Sequence, residues 1–227
     1  MVIKRRKTKV GPEAELLELA LSSSSMDNKS KKAVIFREPQ MPTGFPDLVA
    51  VYTGKQNIKF NQFRSGLSIW HIRLLHLIYQ LGGGYLEDIS QSSLYPLSKV
   101  EILIDELSQA GMVYFRGKKI FPVAMRKIFT TTRIVAIEAK INDWSRAIRQ
   151  AIANRWFSSH SYILLPEKTR MTKILEEAQS FGIGVMVFDG QNTKELCHPI
   201  PQNLPTSYGS WLLNEWANMM IHQGMVT

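Results

Sequence analysis

Ile134-Val135-Ala136-Ile137-Glu138-Ala139-Lys140 reads as a buried strand that ends in two charges. Side chains along a strand alternate between its faces, so Glu138 and Lys140, two apart, point the same way. Their apolar neighbours draw both toward the core, where a charge is costly unless it pairs or binds something. A carboxylate that holds a divalent metal, beside an ammonium that stabilises charge on a substrate, meets that demand. Far upstream, Phe45-Pro46-Asp47 offers a second carboxylate. Together these residues suggest metal-assisted cleavage of a phosphodiester.

Working outward, the pattern after Arg126 alternates strands with helices. A helix from Asp143, its N-cap, runs to about Arg155; Ser161 to Leu165 is a strand, Thr169 to Phe181 a helix and Gly184 to Phe188 a further strand. That alternation implies a largely parallel sheet with helices on its faces. Gly190 to Thr206 is proline-rich and reads as irregular, and Ser210 to His222, with Trp211 and Trp216, reads as a last helix that packs on the body. At the other end, Gly11-Pro12 opens a helix from Glu13 to Leu21 that runs into serines 22–25. Ala33 to Phe36 and Asp47 to Tyr52 are β-prone.

The middle differs. Ser68 to Leu81 carries apolar residues at helical spacing and stops at Gly82-Gly83-Gly84; a short helix spans Leu86 to Ser92, and a third runs from Ser98 to Gly111. Met112 to Phe115 and Ile120 to Val123, around Gly117-Lys118-Lys119, form a hairpin with a basic tip. Three helices and a basic hairpin, in that order, match a winged helix-turn-helix. Setting residues 62–125 apart as an inserted module lets Asp47 and Glu138 share one sheet, since compact domains do not leave so long a stretch as a connection.

The chain has 227 residues, 44% hydrophobic and 21% charged, the composition of a globular protein. Its net charge of +9 favours an anionic partner, nucleic acid before membrane. Cations cluster at Lys4 to Lys9, around Arg116 to Lys127, and at Arg146, Arg149 and Arg155. Cys197 is the single cysteine, which excludes an intrachain disulfide and a cysteine-built zinc site and fits a reducing, cytoplasmic setting. No apolar run reaches the roughly 18 residues of a membrane span, and no secretory signal follows the basic start. The five histidines share no metal-ligand spacing, and no glycine-rich phosphate loop precedes a helix.

Pro46-Asp47, then Glu138-Ala139-Lys140 on a later strand, then a helix carrying Gln150 and two more strands, resembles the PD-(D/E)xK nuclease superfamily of restriction endonucleases, junction resolvases and repair nucleases. The resemblance implies an α/β, restriction-endonuclease-like fold: a mixed central sheet flanked by helices, made of residues 1–60 and 127–190. The winged-helix module occupies 62–125, and a C-terminal extension with a helix occupies 191–227. It further implies that Asp47 and Glu138 hold Mg²⁺ or Mn²⁺, joined by Glu13 from the first helix, and that Lys140 orients the attacking water, with Gln150 in the site. Some members carry a tyrosine four residues after the glutamine, where this chain has Asn154, and the module is not part of the minimal core.

The expected activity is that of a magnesium-dependent deoxyribonuclease in restriction, repair or defence. Its DNA would be engaged by Arg116, Lys118, Lys119 and Lys99 of the module and by Arg146. Against base reading, the third helix of the module carries Glu101, Asp105 and Glu106, which repel phosphate. The competing expectations are a non-catalytic winged-helix regulator and a protein-contact subunit of a defence complex, each with the nuclease fold as scaffold. A homodimer or larger complex stays open.

Overall fold

A computed structural model describes residues 11–23, 33–54, 61–167 and 171–225. The basic arm Lys4 to Lys9 and the expected helix start at Thr169 lie outside these residues. In chain order the elements are α1 (Pro12–Ser23), β1 (Ala33–Arg37), β2 (Leu48–Thr53), α2 (Ile69–Leu81), α3 (Leu86–Ser93) and α4 (Leu97–Gln109). There follow β3 (Val113–Arg116), β4 (Lys119–Pro122), β5 (Thr131–Ala139), α5 (Trp144–Asn154), β6 (His160–Pro166), α6 (Thr172–Ser180), β7 (Gly184–Phe188), β8 (Thr193–Cys197) and α7 (Tyr208–His222). Short 3₁₀ turns sit at Gln62–Gly66 and Met125–Lys127. The chain divides into two units, one built from the described residues of Ile3–Thr53 and Thr131–Ser210, the other from those of Gly54–Thr130 and Trp211–Thr227.

The first unit is an α/β layer structure around a mixed sheet of six strands in the order β1-β2-β5-β6-β7-β8. The β5–β6 and β6–β7 pairs are parallel, and β1–β2, β2–β5 and β7–β8 are antiparallel. Strand alternation sorts the core into two layers. Val135, Ile137 and Ala139 of β5 meet Leu16, Leu17 and Ala20 of α1 on one face. On the other, Ala147, Ile148 and Ala151 of α5 and Ile174 and Ala178 of α6 pack on Ile163, Leu165, Val185 and Val187. Gly184 is required where β7 crosses the Tyr162 ring, because a Cβ there would stand 2.4 Å from it.

One expectation changes. The tail after Gly190 is not wholly irregular: β8 adds an edge strand beside β7, Tyr162 Oη of β6 donating to Glu195 at 2.8 Å and Thr193 Oγ1 donating to the Ala20 carbonyl at 3.0 Å. Its polar run Thr193-Lys194-Glu195 carries too little hydrophobic alternation to mark a strand. The parallel pairing falls on β5, β6 and β7, in the segment after Arg126 where it was expected, and the sheet as a whole is mixed, as expected.

The second unit packs α2, α3 and α4 with the antiparallel hairpin β3–β4. Ser68 caps α2 in a reciprocal capping box with His71, and Gly82 ends it in the left-handed conformation at φ 72°. Gly84 and Ile120 exchange both main-chain hydrogen bonds at 2.9 Å, which adds a third extended segment beside the hairpin. The part of α7 from Trp211 onward belongs here: fully buried Trp211 stacks on Tyr79 and meets Phe129 edge-on. Beside it lies a buried ion pair. Arg64 donates through Nε to Glu215 Oε2 at 2.9 Å and through Nη2 to Oε1 at 2.5 Å and to the Ile128 carbonyl at 3.0 Å.

Removing one member of such a pair strands a buried charge. Glu215→Ala is therefore expected to cost this unit about 3–5 kcal/mol in urea-induced unfolding. The double substitution Arg64→Met with Glu215→Leu, which leaves no charge behind, is expected to recover most of that loss.

Candidate functional site

The site forms where β2 begins and β5 ends, in the sheet unit. Pro46 leads extended backbone into β2, so Asp47 arrives beside the last residues of its partner strand. Its Oδ2 accepts the Ala139 main-chain N–H at 2.8 Å, and its main-chain carbonyl accepts from Glu38 at 3.1 Å. The Asp47 side chain thus extends the β2–β5 ladder by one hydrogen bond and fixes its own carboxylate next to Glu138.

Glu138 is 1% exposed. Its Oε1 accepts from Asn154 Nδ2 of α5 at 2.7 Å, while Oε2, equally buried, has no hydrogen-bond partner among the described residues. Desolvation, followed by the neighbouring Asp47 charge, pushes its carboxyl up to about 8, against the smaller opposing pull of Asn154 and Lys140. Without a cation beside it, this group keeps its proton in neutral water.

Lys140 follows β5 directly, and its main-chain N–H still donates to the Leu164 carbonyl at 3.0 Å. Its ammonium is near enough to Glu138 to draw that carboxyl down. It donates to Glu13 Oε2 at 3.2 Å, Asp47 Oδ2 at 3.4 Å and the Ala139 carbonyl at 2.7 Å. An ammonium has three protons, and all three are engaged. Glu13 reaches it because Leu16, Leu17 and Ala20, one and two turns later on α1, face the sheet.

Asp47, Glu138, Lys140 and Glu13 are therefore brought together. Among the described residues no group of three or more His, Cys, Asp and Glu side chains is gathered to hold a metal ion. The acidic pair Asp47 and Glu138 provides carboxylate oxygens, one of them buried and unpartnered, whereas Glu13 is turned to Lys140 as a counter-ion. Gln150, on α5, also lines the site, and its Oε1 is buried without a hydrogen-bond partner. Two cavities meet here. One of about 560 Å³ runs past Glu13, Asp47, Lys140 and Asp143; the other, of about 370 Å³, has Glu138, Arg149 and Asn154 in its lining; Phe45, Arg146 and Gln150 line both.

Asn154 is the contact that sequence reading missed. It stands where some nucleases have a tyrosine, and it shares an apolar helix face with Ala147 and Ala151, a position where an amide needs a buried partner. The residues expected to bind DNA fall in both units. Arg146 lines the cavities of the sheet unit. Arg116, Lys118 and Lys119 surround the β3–β4 turn, Arg116 and Lys119 being directly paired across it. Lys99 opens α4 with its ammonium 3.9 Å from the Trp70 ring centroid and 4.6 Å from that of Tyr95. No described helix is long and apolar enough to cross a membrane. No protein-family model matches the chain, and neither a curated protein nor a solved structure matches it.

The buried Glu138 makes stability depend on pH with a definite sign. Between about 4.5 and about 8 the folded protein holds a proton that the unfolded chain has released, so stability falls as pH rises through that window. Urea midpoints of the wild type are expected to drop from about pH 5 to about pH 8.5, with Glu138→Gln flattening the slope. An unchanged slope in the variant would show that Glu138 titrates normally.

Proposed function

We propose that the sheet unit is a metal-dependent deoxyribonuclease of the PD-(D/E)xK type and that the helical unit is an inserted winged helix-turn-helix. The observation that carries the reading is the meeting of Asp47, Glu138 and Lys140 at the end of β5, with Glu138 Oε2 buried and unpartnered. Burying an acid beside another acid is unfavourable unless a cation joins them, and the two carboxylates are hard oxygen donors that suit Mg²⁺ or Mn²⁺. A divalent cation held by Asp47 and Glu138 would acidify water and offset charge on phosphate oxygens.

The chain's own groups supply the rest. Water attacks phosphorus in line, one P–O bond forms as the bond to the leaving oxygen breaks, and a phosphate monoester and an alcohol result. Lys140 stands beside the carboxylates with its ammonium held in place by three acceptors, and exchanging the exposed Glu13 carboxylate for a phosphate oxygen gives it a substrate contact. Asn154 holds one oxygen of Glu138 and leaves the other available. Gln150, with its unpartnered carbonyl oxygen, orients water or substrate.

In the helical unit, Lys118 and Lys119 at the hairpin and Arg116 beside them suit the phosphate backbone. The α4 face favours a second reading for that surface. Glu101 and Asp105 are exposed on it, and Ile102 is 59% exposed, which fits a protein partner better than a DNA groove. On that reading the helical unit docks another protein, and the sheet unit alone engages DNA.

Cleavage of supercoiled plasmid and short duplexes with Mg²⁺ or Mn²⁺ tests the enzyme. Lys140→Ala is expected to lower the rate by about two to three orders of magnitude, in the range of losing one preorganised electrostatic contact. Calorimetric Mn²⁺ binding is expected to vanish in Asp47→Ala and in Glu138→Ala but to persist in Glu13→Gln, which separates ligand from counter-ion. Equal traces of cutting by wild type and Lys140→Ala would overturn the assignment. For the helical unit, Lys118→Ala and Lys119→Ala are each expected to reduce the salt slope of DNA binding by about 1. Unchanged slopes would favour the protein-docking reading.

A further inference from the structure

The cations of the helical unit face rings rather than acids. Lys99 stands over Trp70 and Tyr95, and the Lys119 ammonium is 5.0 Å from the Tyr85 ring centroid. The Arg116 guanidinium lies 5.7 Å from the ring centroid of Tyr114 and 5.9 Å from that of Phe121. Of the acids along α4, Glu106 pairs with His71. Glu101 and Asp105 are exposed and have no ion-pair partner among the described residues. They stand one turn apart, a spacing at which like charges repel. Neither sits in the first turn of the helix, where the dipole would favour an acid. Their repulsion is unrelieved in a chain of net charge +9, and a cation from another molecule would relieve it.

Both acids line a cleft of about 360 Å³ between the start of α3, α4 and the β3–β4 hairpin. Buried Ile104 and Ile120 give it apolar walls, and Tyr85 and Phe115, 43% and 49% exposed, give it rings. Lys119 already stands over Tyr85, whereas the Phe115 ring meets no other ring or cation among the described residues. Two further charges line the cleft: Glu87, which complements the N-terminus of α3, and Lys118 on the hairpin turn. One cation against three carboxylates leaves the cleft negative. Apolar walls, an open ring and net negative charge suit a side chain with a long apolar stem and a cationic head. Arginine fits better than lysine, because its planar guanidinium can serve two carboxylates at once and lie flat on a ring.

We propose that this cleft docks a partner protein through an arginine on one of that partner's exposed segments. The arginine stem lies on Phe115, and its guanidinium is shared between Glu101 and Asp105. Leu97, one turn before Glu101, and Ile102 beside it are 45% and 59% exposed and extend the surface with apolar area. The inference rests on the protein-docking reading of this unit and deepens it by naming the partner's chemistry. A nucleic acid is the poorer occupant, because Glu101 and Asp105 repel its phosphates.

The test pans the immobilised full chain against a displayed heptapeptide library. A protein of net charge +9 gathers acidic peptides by charge alone, so arginine enrichment is a discriminating result. The wild type is expected to enrich peptides with arginine at one fixed position, and the double variant Glu101→Gln with Asp105→Asn to lose that enrichment. A synthetic peptide of the enriched sequence is expected to bind the wild type at least about tenfold tighter than its citrulline counterpart, read by anisotropy. Phe115→Ala is expected to weaken the arginine peptide about threefold. All three substituted side chains are exposed, and circular dichroism confirms that the variants remain folded. No consensus, an acidic or uncharged one, or arginine enrichment that survives in the double variant overturns the proposal. Failure of the docking reading itself is distinct: it appears as a lower salt slope of DNA binding in both Lys118→Ala and Lys119→Ala.

Discussion

The sheet unit is organised by one carboxylate kept away from water. Glu138 is the penultimate residue of β5, the strand that pairs antiparallel with β2 along one edge and parallel with β6 along the other. A buried acid with one hydrogen bond is an unfavourable group, and its surroundings are arranged to contain that cost. Asn154 reaches it from α5, which requires that helix to lie with its apolar face on the sheet. Asp47 stands on the other side, held by the Ala139 N–H, so β2 must be in register with β5 up to that residue. Displacing Asn154 would leave Glu138 with no hydrogen-bond partner among the described residues.

The helical unit interrupts this sheet between β2 and β5, whose register shifts between Tyr52 and Thr53, at the end of β2. Thr53 and Thr131 are paired across β2 and β5, so the chain leaves the sheet and re-enters it at adjacent points. The Gly54 N–H donates to the Thr130 carbonyl at 2.9 Å, which holds the two crossing strands of chain together at the junction. Closely spaced ends are what make a long insertion tolerable, because the host sheet closes the same way with or without it. The inserted unit then needs its own means of closure. It finds one in the return of α7, whose Glu215 pairs with Arg64 near the start of the insertion and whose Asn214 accepts the Thr130 N–H at its end.

Much of this was legible because hydrophobic spacing and the site lie on long, regular elements. The run from Ile134 to Glu138 declared a buried strand, and Asp143 declared a helix start that its side chain does cap, accepting from Arg146 N–H at 2.9 Å. The three helices and hairpin of the middle segment were visible for the same reason. The rest depended on tertiary geometry. Thr193 to Cys197 has no strand pattern because an edge strand packs one face weakly and leaves the other in water. The pairing of Asn154 with Glu138 joins residues on different elements, which no local spacing encodes.

The charges around Lys140 suggest how such a site stays stable without its ligands. Glu13 and Asp47 face the ammonium, while Glu138, neutral by virtue of its raised pKa, adds no further negative charge. On the nuclease reading, a divalent cation and a phosphodiester arrive as complementary charges. Such a cation would favour ionised Glu138 and take Asp47 as a ligand, which would remove one acceptor from Lys140. A phosphate would replace the exposed Glu13 carboxylate on the same ammonium. Neither partner alone would balance the site as well: the cation without the anion would leave Lys140 facing added positive charge, and the anion without the cation would meet the acids. On that reading the arrangement would couple metal binding to substrate binding through Lys140, an electrostatic route to holding both only when both are present.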